Sequence, residues 1–278
     1  MRDLRGRVAV VTGGASGIGR AMAQCFAAEG MKLVLADVEE PALERAAAEL
    51  ASGGTETLGV PTDVRDALQV RALADRTLDR FGAVHVVCNN AGVAPLGPIL
   101  DTTLEDWRWL VDVNLMGVVH GIETFAPILI EQGEGHIVNT GSMGGLIAAP
   151  GLGAYIATKH AVVGLSETLY LELRDTGVGL SVLCPGLVAT RLFSSTRNRP
   201  DDDGPTSYGE VEERAKKMLT EMGNPPEVIA EHVVRAIRDE TLYILPDAEM
   251  KPFIEERYRR IVAGENPPRD NVLGVGDA

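Results

Sequence analysis

From Arg7 to about Asp247, short apolar runs rich in Val, Leu and Ile alternate with amphipathic stretches of a dozen or more residues. That alternation is expected of βα units wound around a parallel sheet. The runs predict strands over Val8–Thr12, Lys32–Ala36, Glu56–Val60, Val84–Cys88, Gly135–Thr140, Gly179–Cys184 and Thr241–Leu245. Most are apolar at every position, as strands covered on both faces must be. Helices are predicted between them, over Gly17–Glu29, Pro41–Ser52, Arg65–Phe81, Thr103–Glu131, Ala154–Asp175 and Pro226–Asp239. Thr103 with Asp106 three residues on, and Pro226 in a first turn, read as helix starts.

Residues 187–224 break this rhythm. The stretch SSTRNRPDDDGPTSYGE is polar and rich in Pro, Gly and Asp, and an amphipathic run over Glu210–Met222 follows it. An insert of this length in a compact domain is expected to be a lid or binding loop. The acids Asp201 to Asp203 are read as a solvated loop tip. Residues 1–247 are thus expected to form one domain containing a 187–224 lid, with 248–278 as a further helix, Glu249–Val262, and a loose tail.

Forty Asp and Glu against 26 Lys and Arg give a net charge of −14, and no basic cluster offers the footprint that a nucleic-acid backbone requires. The most apolar stretch, Val118 to Ile130, is broken by His120 and Glu123, so no membrane span is expected. The apolar run before Gly13 is too short for a secretory leader, and a cytoplasmic protein is expected. Cys25, Cys88 and Cys184 lack paired spacing and are read as buried, reduced thiols. The five histidines show no metal-ligand spacing.

Strand Val8–Thr12 runs into GGASGIGR, with Gly13, Gly17 and Gly19 opening a helix. Unobstructed backbone N–H groups at a helix N-terminus, here around Ser16, Gly17 and Ile18, suit a pyrophosphate. A nucleoside-triphosphate loop would place Lys and Ser or Thr where this chain has Arg20 and Ala21. Asp37, at the end of the second strand and 24 residues beyond Gly13, stands where an acid accepts from an adenine ribose. Its charge repels a 2′-phosphate, and neither Ser16 nor Val38 offsets it, so NAD is expected over NADP. Asp63, beside Val64, is placed either at an adenine edge or as the N-cap of the Arg65 helix.

Tyr155 and Lys159 lie four apart on a predicted helix and share a face. Ser142 follows the fifth strand and Asn114 sits in DVNLMG. With TGGASGIG, Asp37, the NNAG motif at 89 to 92, Y-I-A-T-K and P-G-L-V-A-T, the set resembles the short-chain dehydrogenase/reductase family over about Leu4 to Asp247. The resemblance implies an α/β chain: a single-domain, Rossmann-type, doubly wound seven-stranded parallel sheet with helices on both faces. It further implies a nicotinamide cofactor and hydride exchange between alcohol and ketone.

By that resemblance Tyr155 is the acid–base, Lys159 lowers its pKa and meets the nicotinamide ribose, Ser142 holds the substrate oxygen, and Asn114 helps seat a relay water. Asn90, Ala91, Gly92, Pro185, Gly186, Val188 and Thr190 would border the cofactor. Val93, Pro95, Gly144, Leu146, Leu152, Leu187, Leu192 and Phe193 are the expected pocket, an apolar lining that favours a hydrophobic alcohol or ketone. Arg191 is expected to point to water. YILPD after the seventh strand departs from the family's usual glycine-rich ending, so a homodimer is expected and a homotetramer is less secure; the helix after it would cover a neighbour's cleft or cap the sheet edge. The rivals are an NAD-binding scaffold without catalysis, an acyl hydrolase, which GSMG does not fit, and an extended epimerase or dehydratase.

Overall fold

The structure is a computed structural model that describes residues 1–199 and 209–268; Asp201 to Asp203 and the end of the tail lie outside the described residues. Seven parallel strands are ordered β3-β2-β1-β4-β5-β6-β7: β1 Val8–Thr12, β2 Lys32–Asp37, β3 Thr57–Pro61, β4 Val86–Asn89, β5 Gly135–Thr140, β6 Val178–Leu183 and β7 Tyr243–Ile244. Every residue of β1, β4 and β5 is buried, because helices cover both faces. On one face α1 (Gly17–Ala28), α2 (Glu40–Ser52) and α8 (Pro226–Asp239) close over Phe26, Leu33, Leu35 and Ile229. On the other, α3 (Ala67–Phe81), α5 (Gly117–Gln132) and α6 (Gly153–Glu172) close over Val10, Val34, Leu73, Phe125 and Leu129.

The strand order reverses between β1, which pairs with β2 on one side and β4 on the other, and that reversal opens a crevice at the strands' carboxyl ends. β7 is shorter than its apolar run predicts: it pairs through Val182↔Tyr243 and Leu183↔Ile244 alone. The chain then meets Pro246, which has no N–H to continue a ladder.

One helix start and one helix's continuity differ from the sequence reading. Asp63 does not cap α3; Asp66 does, accepting from the Leu68 N–H at 2.9 Å, while Asp63 accepts from the Arg65 N–H and guanidinium. The predicted helix Thr103–Glu131 is three segments: α4 (Leu104–Val111), a π-helical stretch Asp112–Met116, and α5. The Thr103 and Asp106 capping box is formed. The combined Leu104–Gln132 helix has the length and apolarity to cross a bilayer, but Val118, Phe125, Ala126 and Leu129 are buried against the protein's own layers.

The described parts of the 187–224 stretch, residues 187–199 and 209–224, meet at a closed neck. The Asn224 N–H donates to Leu187 O at 2.9 Å, and the Ala189 N–H donates to Asn224 O at 2.9 Å. Helix α7 (Gly209–Met222) makes its returning limb. After β7, a 3-10 turn at Ala248–Met250 leads into α9 (Lys251–Ala263).

Phe125 is 1% exposed in the face closed by α3 and α5. Phe125→Ala should lower the free energy of urea unfolding by about 3–5 kcal/mol. A loss below about 1 kcal/mol would mean that this layer can collapse into the gap.

Candidate active site

One crevice, with a cavity of about 340 Å³, lies at the strands' carboxyl ends and brings together residues from 13 to 250. Its first end is the glycine turn. Gly13 and Gly17 have φ of +65° and +52°, which side chains other than glycine's resist. A Cβ on Gly19 would stand 2.2 Å from Gly13 O and 2.6 Å from Asn90 Nδ2; Gly19 therefore serves close packing beneath the turn rather than the cavity wall. Gly13, Ser16, Gly17 and Ile18 do line the wall. Ser16 is the extended N-cap of α1 and makes no side-chain cap, so the helix's first N–H groups are available to an anion.

Asp37 stands beside this turn. One carboxylate oxygen accepts from the Ala15 N–H at 3.0 Å and the other from the Glu39 N–H at 3.0 Å. Burial nevertheless raises its pKa above the ordinary value, against those backbone bonds. Asp63, Val64, Asn90, Ala91, Gly92, Pro185, Gly186, Val188 and Thr190 complete the predicted cofactor wall. The NNAG turn is locked to the end of β1: Thr12 Oγ1 accepts from the N–H groups of Asn90 (2.9 Å) and Ala91 (3.1 Å), and Asn90 Nδ2 donates to Thr12 O at 2.9 Å. A second lock joins Gly186, whose N–H donates to the buried Asp247 at 2.7 Å.

The absence of positive charge near Asp37, read from Ser16 and Val38 alone, needs correction. Arg65, Arg191 and Arg197 all line this part of the cavity. Each has a carboxylate partner: Asp63 for Arg65, and Glu39 for Arg191 and Arg197. Arg191 thus pairs with Glu39 rather than simply facing water.

At the other end, Ser142, Tyr155 and Lys159 share the wall. Ser142 caps the short turn Met143–Gly145, accepting from the Gly144 N–H at 3.0 Å. Tyr155 and Lys159 are 8% and 3% exposed on α6, with the ammonium 5.6 Å from the phenol ring centre. Lys159 Nζ donates to Thr140 O at 2.8 Å. Burial pushes Tyr155 up to about 12, opposed by the Ser142 hydroxyl, and lowers Lys159 to about 8. Desolvation of the anion therefore dominates at this phenol, and the group that opposes it is the Ser142 hydroxyl.

Asn114 is fully buried behind the wall. Its Oδ1 accepts from the Val93 N–H at 2.8 Å, and its Nδ2 donates to Val93 O at 2.9 Å and Thr158 Oγ1 at 3.3 Å. The side chain holds the chain beside Gly92, and Asn114 is not among the residues that line the cavity. It lies within the π-helical stretch, an insertion of the kind that often marks functional sites.

Of the predicted pocket, Val93, Gly144, Leu152, Leu187, Leu192 and Phe193 line the cavity. Two residues do not. Pro95 faces a smaller neighbouring cavity, and Leu146 turns under the site to pack with Met143, Val163 and Val182. Trp109, Val113, Met218, Leu219 and Met250 line the site without having been singled out. Met218 and Leu219 lie on the amphipathic 210–222 run, which was the available signal. Met250 arrives from the C-terminal extension, which with Ile254 packs against this protomer's own site. Cys88 and Cys184 are buried, whereas Cys25 is partly exposed. No group of metal-ligating side chains occurs among the described residues.

Comparison with known proteins agrees with this geometry. The family model for short chain dehydrogenase matches residues 7–201. A C alpha-dehydrogenase from a Sphingobium species is 36% identical, covering 99% of this chain and 92% of its own. A CLA biosynthesis dehydrogenase/reductase from Lactiplantibacillus plantarum is 34% identical over 96% and 97%. The crystal structure of a short chain dehydrogenase/reductase from Burkholderia phymatum in complex with NAD superposes with a TM-score of 0.94 at 41% identity, covering 98% of this chain and all of that one. The fold, the crevice and these likenesses agree: the chain belongs to the short-chain dehydrogenase/reductase family of oxidoreductases.

Proposed function

We propose that the protein interconverts a hydrophobic secondary alcohol and its ketone with NAD as the hydride carrier, by a CH–OH dehydrogenase reaction at Tyr155. The carrying observation is the convergence of Ser142, Tyr155 and Lys159 on one wall of a crevice whose other end holds the glycine turn and Asp37. The dinucleotide fits that second end. Bare N–H groups of α1 suit its pyrophosphate, glycines leave room for close approach, and the Asp37 carboxylate suits a ribose hydroxyl while repelling a 2′-phosphate. When bound, the oxidised nicotinamide accepts hydride and adds its ring's positive charge to the site.

The chain's own residues handle the proton. Ser142 orients the substrate oxygen toward Tyr155, whose phenol oxygen removes the hydroxyl proton in oxidation and returns it in reduction. Lys159, fixed on Thr140 O, keeps an ammonium one helical turn away. Asn114 acts through another residue by holding Val93, the start of the pocket wall. Leu152, Leu187, Leu192, Phe193 and Trp109 make that pocket apolar and exclude water, which supports a hydrophobic substrate over a sugar or free acid. The soluble fold and the acidic surface support a cytoplasmic place, and the half-exposed Leu104–Gln132 helix supports pairing with a second copy.

Three outcomes test this reading. Tyr155→Phe should bind NADH, followed by its fluorescence, while turnover falls by about 10²–10⁴-fold; turnover near that of the parent would remove the phenol from the reaction. Asp37→Asn removes a charge-assisted interaction of about 1.5–3 kcal/mol. NAD-dependent kcat/KM should then fall by roughly 10–100-fold and the NADP-to-NAD ratio should rise; an unchanged ratio would show that Asp37 does not read the ribose.

The third concerns stability. Folding lowers Lys159 from 10.5 to about 8, so between those values the unfolded chain holds the proton and the folded chain does not. Keeping lysine charged in the fold therefore costs stability below about pH 8, and the cost fades as pH rises toward 10.5. Lys159→Met should abolish turnover yet gain about 1–3 kcal/mol of stability at pH 7 relative to the parent. The gain should shrink by pH 10 in paired denaturation curves; one independent of pH would refute the burial argument.

A further inference from the structure

The segment Arg191–Arg199 crosses the mouth of the crevice, and its 3-10 turn Leu192–Asn198 carries Leu192 and Phe193 into the cavity wall. It is attached to three separate elements. Beyond β2, Glu39 takes Arg197 Nε at 3.1 Å, Asn198 Nδ2 at 3.0 Å and Arg191 Nη2 at 3.7 Å. Beyond β4, the Ala94 N–H donates to Ser195 Oγ at 2.9 Å, with both residues buried. At the start of α4, Asp106 takes Arg199 Nη1 at 3.1 Å. Arg197 also donates to Ser194 O at 2.6 Å, tightening the turn from within.

Glu39 differs from an ordinary surface acid in three ways. Its side chain is 24% exposed and answers three donors at once, so it forms a network where a single exposed pair would contribute little. Those donors hold its carboxyl below the usual range, against the cost of burial. Its backbone N–H is tied to Asp37, whose other oxygen holds the glycine turn at Ala15. A continuous run of bonds therefore leads from the turn, through Asp37 and Glu39, to Arg197 and the strap that bears Phe193.

We propose that Glu39 is a positioning residue: by anchoring the 191–199 strap it couples the grip on the adenosine end of the dinucleotide to the wall that meets the substrate. The proposal rests on reading the crevice as a dinucleotide site. Glu39 touches neither substrate nor reacting atoms. Without its charge, Arg191 and Arg197 lose their shared ionic partner, and among the described residues the polar anchors left to the strap are Ser195, Arg199 and the neutral bond from Asn198.

The test has one arm without nucleotide and one with it. In the first, chymotrypsin cleavage after Phe193 is timed for the parent, Glu39→Gln, Arg197→Gln and the charge-conserving Arg197→Lys. Both glutamine variants should be cut roughly fivefold faster than the parent, with Arg197→Lys nearer the parent. In the second, Glu39→Gln and Arg197→Gln should release NADH roughly fivefold faster and raise substrate KM by a similar factor, exceeding any change in kcat. Raising ionic strength from about 0.02 M to about 0.5 M should speed release from the parent and have little effect on Glu39→Gln. Equal cleavage, release and salt dependence in parent and variants would overturn the strap. If the parent binds no NADH, the functional reading fails, and the cleavage arm still judges the anchor. Arg197→Gln approaches the same contact from the other side and decides the matter if Glu39→Gln fails to fold.

Discussion

A lysine ammonium that is 3% exposed, resting on the carbonyl of Thr140, is the constraint around which the rest of the site is arranged. Keeping a cation out of water is unfavourable, and burial without a carboxylate partner draws the Lys159 pKa down to about 8. A carboxylate beside Lys159 would satisfy the charge but would also spend it. With the Thr140 carbonyl as its acceptor, the ammonium's field stays available to an anion forming nearby, and the phenol lies one turn earlier on α6, its ring centre 5.6 Å away. That phenol is itself pushed up to about 12 by burial. The protein thus places two groups side by side whose burial favours their neutral forms, and only added positive charge at this spot makes the phenolate accessible near neutral pH.

That arrangement also requires the surrounding backbone to be fixed, and site residues share in the fixing, as Asp37 does at Ala15 and Ser142 at Gly144, while further locks stand behind them. Thr12 gathers Asn90 and Ala91, Asn114 clamps both polar atoms of the Val93 backbone, and Asp247 holds Gly186. Each ties the end of one strand to a neighbouring element, so the crevice is built from rigid pieces. The π-helical stretch belongs to this scheme. An extra residue in the helix lets Asn114 reach back to Val93 while α4 and α5 keep their places on either side.

Much of this was legible in the sequence because it depends on local rules. The strands of the doubly wound sheet announce themselves as uninterrupted apolar runs, the glycine turn by its position between a strand and a helix, and Tyr155 and Lys159 by the helical repeat. What escaped depends on contacts between distant segments. Asp63 looks like a cap from its spacing, but Asp66, three residues on, has the geometry to reach Leu68. Nothing in DVNLMG reveals a π turn, closed by the Gly117 N–H on Asp112 O, or that its Asn114 side chain would meet Val93. Leu146 is apolar like its neighbours, and only the 3-10 turn beginning at Met143 decides that it faces the core. Arg191 read in isolation belongs in water; its partner Glu39 is more than 150 residues away in the chain.

The same separation explains why charge read along the sequence misjudged the ribose end of the crevice. The residues adjoining Asp37 carry no cation, yet folding delivers three guanidiniums there, from the start of α3 and from the strap. Asp63 meets one of them and Glu39 is shared by the other two, so two carboxylates answer three guanidiniums, and none of the three pairs with Asp37 itself. On the proposed reading, the choice between a ribose hydroxyl and a 2′-phosphate is then made by the whole cluster rather than by a single acid. Two Asp and one Glu stand against three Arg, and what matters is which of them remains uncompensated at the ribose. Asp37, whose two oxygens are held by backbone N–H groups instead of cations, is the acid left in that position.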